Sequence, residues 1–258
     1  TMEGSKKPEK KWGYSDQMHC CGSSGPRAIA LIPTFAYMTG KDKLAINLYE
    51  TSTFRANVNG TPVVVHQQTN YPWDGRIAID LEADQPTEFD LQLLIPGFVQ
   101  SAIITVSGSK QNIPLEAGKY ATVHRRWSGK TKILLNLPMP IVAHKRKGRY
   151  ALSRGPIVLA AEEIQSDEDA TFQNVIPDLS SLQQASWKQG QTGFKTADQR
   201  IWEIQRHPIY LKGKKTNSEN KTSWGKLTLV YRPYCEAGTS GQIMSVWLPM
   251  LPPDKDDD

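Results

Sequence analysis

Cys20 and Cys21 are adjacent, and they are the residues of this chain best suited to chemistry. Neighbouring cysteines rarely bridge to each other, because the ring would strain the peptide bond between them. Two thiolates at one backbone point suit a soft metal such as zinc. Zinc takes four ligands, and the one further cysteine, Cys235, lies far away in a different sequence context. Either the pair is structurally idle, or it is part of an active site completed by residues outside this chain.

Other candidates are weaker. Asp74 with Glu50 or Asp80 could form a carboxylate pair of the kind that cleaves glycosidic bonds, but Asp74-Gly75 reads more simply as a turn. Glu162-Glu163 is expected at the surface. Trp73, Trp127 and Trp187 could stack on a sugar, and for Trp73 and Trp127 core packing is the favoured role. Asn59-Gly60-Thr61 and Asn220-Lys221-Thr222 match the glycosylation sequon, a pattern common by chance. Cys235 is expected to be a small buried hydrophobe.

The positions of these residues depend on what 258 residues can build. That length allows one large domain or two smaller ones. Hydrophobic residues make up 38%, which suits β-sandwiches with many exposed strands. No apolar run is long enough for a membrane span, and the polar, basic start shows no signal peptide. Three cysteines cannot make a full disulfide framework. The net charge of +5 is clustered at Lys6 to Lys11, at His144 to Arg149, and from Lys212 to Lys226. Without interleaved aromatics these clusters read as solvated loops and tails, not as a nucleic-acid surface.

A helix is expected from Gly25 to Met38, with Pro26 at its first position and Gly40 as its stop. Ile29, Ile32 and Ala36 share one face, and Pro33 implies a kink or a short helix. Beyond Gly40 the pattern is β. Leu44, Ile46 and Leu48 alternate. Asn59-Gly60 is a two-residue hairpin signal, and Asp74-Gly75 precedes the alternation of Ile77, Ile79 and Leu81. Further strands are expected at Phe89 to Ile95, Ile103 to Val106, Tyr120 to Val123 and Ile133 to Leu137. Pro138 to Pro140, followed by His144 to Arg149, reads as a boundary. A second β unit follows at Ile157 to Ala161, Ile201 to Ile204, Ile209 to Lys212, Leu227 to Tyr231 and Ile243 to Leu248. A long loop is expected over Glu162 to Gln199. Short strands at this spacing read as antiparallel sandwiches.

Several ordered segments resemble a known family. They are His19-Cys20-Cys21 followed by Arg27, Leu44 to Tyr49, Thr69-Asn70-Tyr71-Pro72-Trp73-Asp74-Gly75, Leu93 to Phe98, Arg126-Trp127 with Leu137 to Pro140, Ser153 to Pro156, Pro233-Tyr234, and Val246 to Pro249. From Trp12 to Pro249 the chain resembles the C-terminal part of glycoside hydrolase family 127, the β-L-arabinofuranosidases. Members have an N-terminal (α/α)6 barrel carrying the active site, then β-sandwiches.

The resemblance implies a mainly β fold of two antiparallel sandwiches after a short helical remnant of the barrel. Residues 1–40 would be that remnant with the double-cysteine motif, 41–142 the first sandwich, and 143–258 the second. It implies that Cys20 is the nucleophile of a retaining glycosidase and that Cys20 and Cys21 bind zinc. His19 is a candidate for substrate contact, although a structural or exposed histidine is the favoured reading. Arg27 would order the helix start or the cysteine loop. The other zinc ligands and the acid/base glutamate lie in the family's barrel and have no match here. The expected partners are a plant-type arabinose-containing glycan and the missing barrel segment, with no nucleic acid and no membrane. The expected setting is the bacterial cytoplasm or periplasm. The competing reading is a non-catalytic sandwich module that supports a separate barrel or binds carbohydrate.

Overall fold

The computed structural model describes residues 20–111, 113–165, 175–177, 179–184, 190–195, 201–206, 209–216, 222–235, 244–246 and 248–249. The fold is mainly β with one α-helix. Two compact units divide between Met139 and Pro140.

The first unit opens with helix α1 (Cys20–Ala36). It starts earlier and ends earlier than the sequence implied. Pro26 and Pro33 both lie inside it, not at its start. Gly40 does not stop it, because Tyr37–Thr39 already form strand β1. The helix end is set by tertiary hydrogen bonds: the Asn47 amide N–H donates to the Ala36 carbonyl at 2.9 Å.

Seven more strands complete the unit: β2 (Lys43–Ile46), β3 (Ser52–Val58), β4 (Thr61–Thr69), β5 (Arg76–Leu94), β6 (Ile103–Val106), β7 (Ser109–Lys110) and β8 (Tyr120–Asn136). They form one sheet in the order β1-β2-β5-β8-β6-β7, with β4 also on β5 and β3 on β4. The pairs are antiparallel except β2 with β5, which is parallel. Asn59 and Gly60 have φ of 51° and 79°, so both central residues of the β3–β4 turn are left-handed, as a type I′ hairpin requires.

β5 and β8 are longer than the short strands expected. Each spans what the alternation alone divides in two. β5 runs 19 residues and carries an irregularity between Ala83 and Thr87, at Pro86. Its burial phase survives this bend. Ile77, Ile79, Leu81 and Ala83 are buried before it, and Phe89, Leu91 and Leu93 after it. The first half of β5 pairs with β4 and the second with β2. The bent pair β5–β8 therefore lines one core along its whole length, a core that also takes in Val63, Ile104, Trp127 and Leu135. Each fully buried aliphatic side chain contributes roughly 1.5–3 kcal/mol.

The second unit holds β9 (Ile141–Arg146), β10 (Arg149–Arg154), β11 (Ile157–Gln165), β12 (Val175–Pro177), a 3-10 turn (Leu179–Gln184), β13 (Gly190–Lys195), β14 (Ile201–Arg206), β15 (Ile209–Thr216), β16 (Thr222–Pro233) and β17 (Leu248–Pro249). Seven strands make an antiparallel sheet in the order β12-β15-β16-β11-β10-β17, with β9 on β10; β13 and β14 pair separately. One expectation is corrected here. The stretch Glu162 to Gln199 includes β12, the 3-10 turn and β13, so it is not one long loop. His144 to Arg149, beyond the boundary at Pro140, forms the turn region of the β9–β10 hairpin. Lys147 and Gly148 take φ of 47° and 72° at its tip.

Candidate functional site

Cys20 and Cys21 form the start of α1. The opening turn of a helix has amide N–H groups without intrahelical acceptors, a setting that favours negative charge. His19 lies outside the described residues, as do Trp187 and Asn220.

What ties this helix to the sandwich is Asn47, a residue that motif reading left without a role. Its Nδ2 donates to the Phe35 carbonyl at 3.0 Å, and its backbone N–H takes the Ala36 carbonyl. Its Oδ1 accepts from the Tyr120 hydroxyl at 2.6 Å. Asn47 thus serves two carbonyls of the last helical turn that would otherwise lack donors, and β8 in turn holds Asn47. Seventeen residues at about 1.5 Å per residue put the cysteines roughly 25 Å along the helix from this anchor. Between the two ends, Ile29, Leu31, Ile32 and Phe35 are all exposed, and Ile29 is 69% accessible.

The loop Asn70–Gly75 joins β4 to β5. The Trp73 amide donates to the Asn70 carbonyl at 2.8 Å, and the Tyr71–Pro72 peptide is cis. Asp74 Oδ1 accepts from the Arg76 amide at 2.9 Å. Asp74 therefore shapes the turn. Asp80 is engaged by Lys130 at 2.9 Å, and Glu50 accepts from the Thr51 amide at 3.1 Å. The three carboxylates have separate structural tasks. Tyr49, beside Tyr71 in an edge-on contact, donates its hydroxyl to the Leu94 carbonyl at 2.6 Å. Burial pushes the Tyr49 and Tyr71 hydroxyls up from the usual phenol value.

Trp127 is fully buried and donates to the Phe89 carbonyl at 3.0 Å, in keeping with a core role. Trp73 is half-buried. Glu162 is buried and paired with Arg232, so it is not a surface residue as expected. Cys235 is exposed, so it is not the buried hydrophobe expected. The exposed His124 lies between Asp90 at 2.6 Å and Glu88 at 3.0 Å, and these two hydrogen bonds, to Asp90 first, raise its pKa. Among the described residues, no three His, Cys, Asp or Glu side chains converge as a metal site. No helix among them is long and apolar enough to cross a membrane.

Comparison with known proteins accounts for this arrangement. Residues 43–139 match the family model described as Beta-L-arabinofuranosidase, GH127 middle domain. Over 169 residues, 58% of the chain, the sequence is 31% identical to the non-reducing end beta-L-arabinofuranosidase of Bifidobacterium longum subsp. longum. That match covers 24% of the Bifidobacterium protein. The crystal structure of a GH127 beta-L-arabinofuranosidase from Geobacillus stearothermophilus T6 superposes with a TM-score of 0.70 at 26% identity, covering 90% of this chain and 37% of that one. A structure described as a glycoside hydrolase gives a TM-score of 0.75 at 22% identity, covering 92% of this chain and 40% of that one, a likeness of fold. The chain thus spans well under half the length of the relatives it matches. On these matches residues 43–139 correspond to the GH127 middle domain, and the chain as a whole is similar to part of the glycoside hydrolase family 127 structures.

Proposed function

We propose that this chain is the cysteine-bearing and β-sandwich part of a retaining glycoside hydrolase acting on β-L-arabinofuranosides or related sugars, with Cys20 as nucleophile. The observation that carries this reading is the match of residues 43–139 to the middle domain, with the double cysteine preceding it on α1. Cys20 and Cys21 would hold zinc, which when bound keeps the thiols deprotonated.

Cys20 Sγ attacks the anomeric carbon as the glycosidic C–O bond breaks, and the departing oxygen takes a proton from an acid/base carboxylate. Water, giving a proton to that same carboxylate, then displaces the sulfur, returns Cys20 as thiolate and leaves the anomeric configuration unchanged. Cys21 keeps a second thiolate beside the first, and His19 would contact the sugar. The remaining ligands and the acid/base carboxylate belong to the helical barrel expected from the family resemblance. By itself the chain is therefore inactive in this reading, and its substrate is an arabinose-containing glycan.

The test is hydrolysis of 4-nitrophenyl β-L-arabinofuranoside with zinc and reductant. The chain alone gives no turnover, whereas the chain joined to the N-terminal part of the Geobacillus relative does. Turnover by the chain alone that survives Cys20→Ala would sink the reading.

A further inference from the structure

The β9–β10 hairpin concentrates positive charge that the hydrolytic reading does not use. His144, Lys145, Arg146 and Lys147 are consecutive, and Arg149 follows the turn. No Asp or Glu occurs between Glu116 and Glu162. His144 to Gly148 are all exposed. The left-handed Lys147-Gly148 pair closes the tip as a type I′ turn, so these cations sit on regular backbone and not on a tail.

Arg146 stands directly opposite Arg149 across the ladder, so two guanidinium groups share one face beside the turn. Two lysines elsewhere do meet acids: Lys130 reaches Asp80 and Glu82, and Lys119 reaches Glu116. Among the described residues no carboxylate pairs with Lys145, Arg146 or Lys147 in this way. Lys145 Nζ lies 5.6 Å from the centre of the half-buried Tyr150 ring, which puts an aromatic surface next to the charge.

We propose that the tip of this hairpin binds a carboxylate-bearing polysaccharide, a polyuronate. A polymer with a negative charge on each sugar meets several cations at once, and the Tyr150 ring offers a face to the sugar C–H groups. The choice of a sugar polymer rests on the glycosidase reading above. The tip would hold the charged part of a glycan whose neutral arabinose branches are hydrolysed elsewhere in the enzyme.

The test is binding of the purified chain to polygalacturonate in affinity gels, with neutral linear arabinan and double-stranded DNA as comparison polymers. It needs no turnover, so failure of binding and failure of hydrolysis are read separately. Polygalacturonate should retard the chain at low salt, and neutral arabinan should not. Raising the salt to about 0.5 M should release it, as a screened charge interaction requires. Lys145→Gln/Arg146→Gln/Lys147→Asn should weaken binding about tenfold or more. The single change Lys147→Asn suits the left-handed turn position, and it should give a smaller loss with unfolding unchanged. Arg126→Gln/Lys132→Gln, on β8, should leave binding intact. Equal binding by wild type and the triple variant, salt-independent binding to neutral arabinan, or tighter binding to DNA than to polygalacturonate would each overturn the proposal.

Discussion

Gly75 and Leu137 meet backbone to backbone. The Leu137 amide donates to the Gly75 carbonyl at 2.8 Å, and a Cβ built on Gly75 would stand 1.8 Å from the Leu137 carbonyl oxygen. This contact joins the loop before β5 to the residue that follows β8. The obstacle is backbone, so no rotamer change relieves it. Gly75→Ala should cost roughly 3 kcal/mol or more. Urea unfolding checks this, and a loss under about 1 kcal/mol would show that the close approach is not required.

Trp127 fills the centre of the first unit against Phe89, with ring centres 5.5 Å apart. Trp127→Ala should destabilise that unit by roughly 3–5 kcal/mol. Trp127→Phe, which keeps bulk but removes the donor to the Phe89 carbonyl, should cost less. Thermal unfolding of the two variants gives the order, and equal losses would place the stabilisation in the hydrogen bond, which both variants remove, instead of the packing.

Glu162, buried, and Arg232, partly buried, form an ion pair on neighbouring strands β11 and β16. Removing one partner strands the other charge. Glu162→Ala should cost roughly 3–5 kcal/mol, and Glu162→Leu/Arg232→Met should restore much of the loss. A double variant as unstable as the single one would contradict this account.

His124 is raised above the ordinary histidine value of 6.5 by hydrogen bonds to Asp90 and then Glu88. A group whose folded pKa is raised stabilises the fold fully below its unfolded value, and that contribution fades as pH climbs through the folded value. Stability should therefore fall above about pH 6.5 in wild type, and less so in His124→Gln. Melting temperatures measured from pH 5.5 to 8.5 decide the point; parallel profiles would remove His124 from the account.

The β texture was legible where local chemistry agreed with the fold. Asn59-Gly60 has the residues a type I′ turn needs, and the alternation of Ile77, Ile79 and Leu81 matches their burial. The sequence misled where tertiary context overrode local signals. Asp84-Gln85-Pro86 looks like a break between strands, but the ladder to β8 resumes beyond it, so β5 is one bent strand. Pro26 marks a helix start by propensity, yet the helix runs through it from Cys20. Lys147-Gly148 turns a hairpin although lysine seldom adopts positive φ. In the candidate site, the cysteines were visible because their type and adjacency are unusual. Asn47 was not, because its role comes from Tyr120 and the end of α1, which meet it only in the folded chain.

The role of Cys20 as nucleophile is tested with this chain joined to the N-terminal part of the Geobacillus relative. Hydrolysis of 4-nitrophenyl β-L-arabinofuranoside should be followed with Cys20 intact and with Cys20→Ala, at equal folded protein. Losing the thiol should lower kcat about a thousandfold or more. Turnover in Cys20→Ala within a few-fold of the intact protein would contradict it.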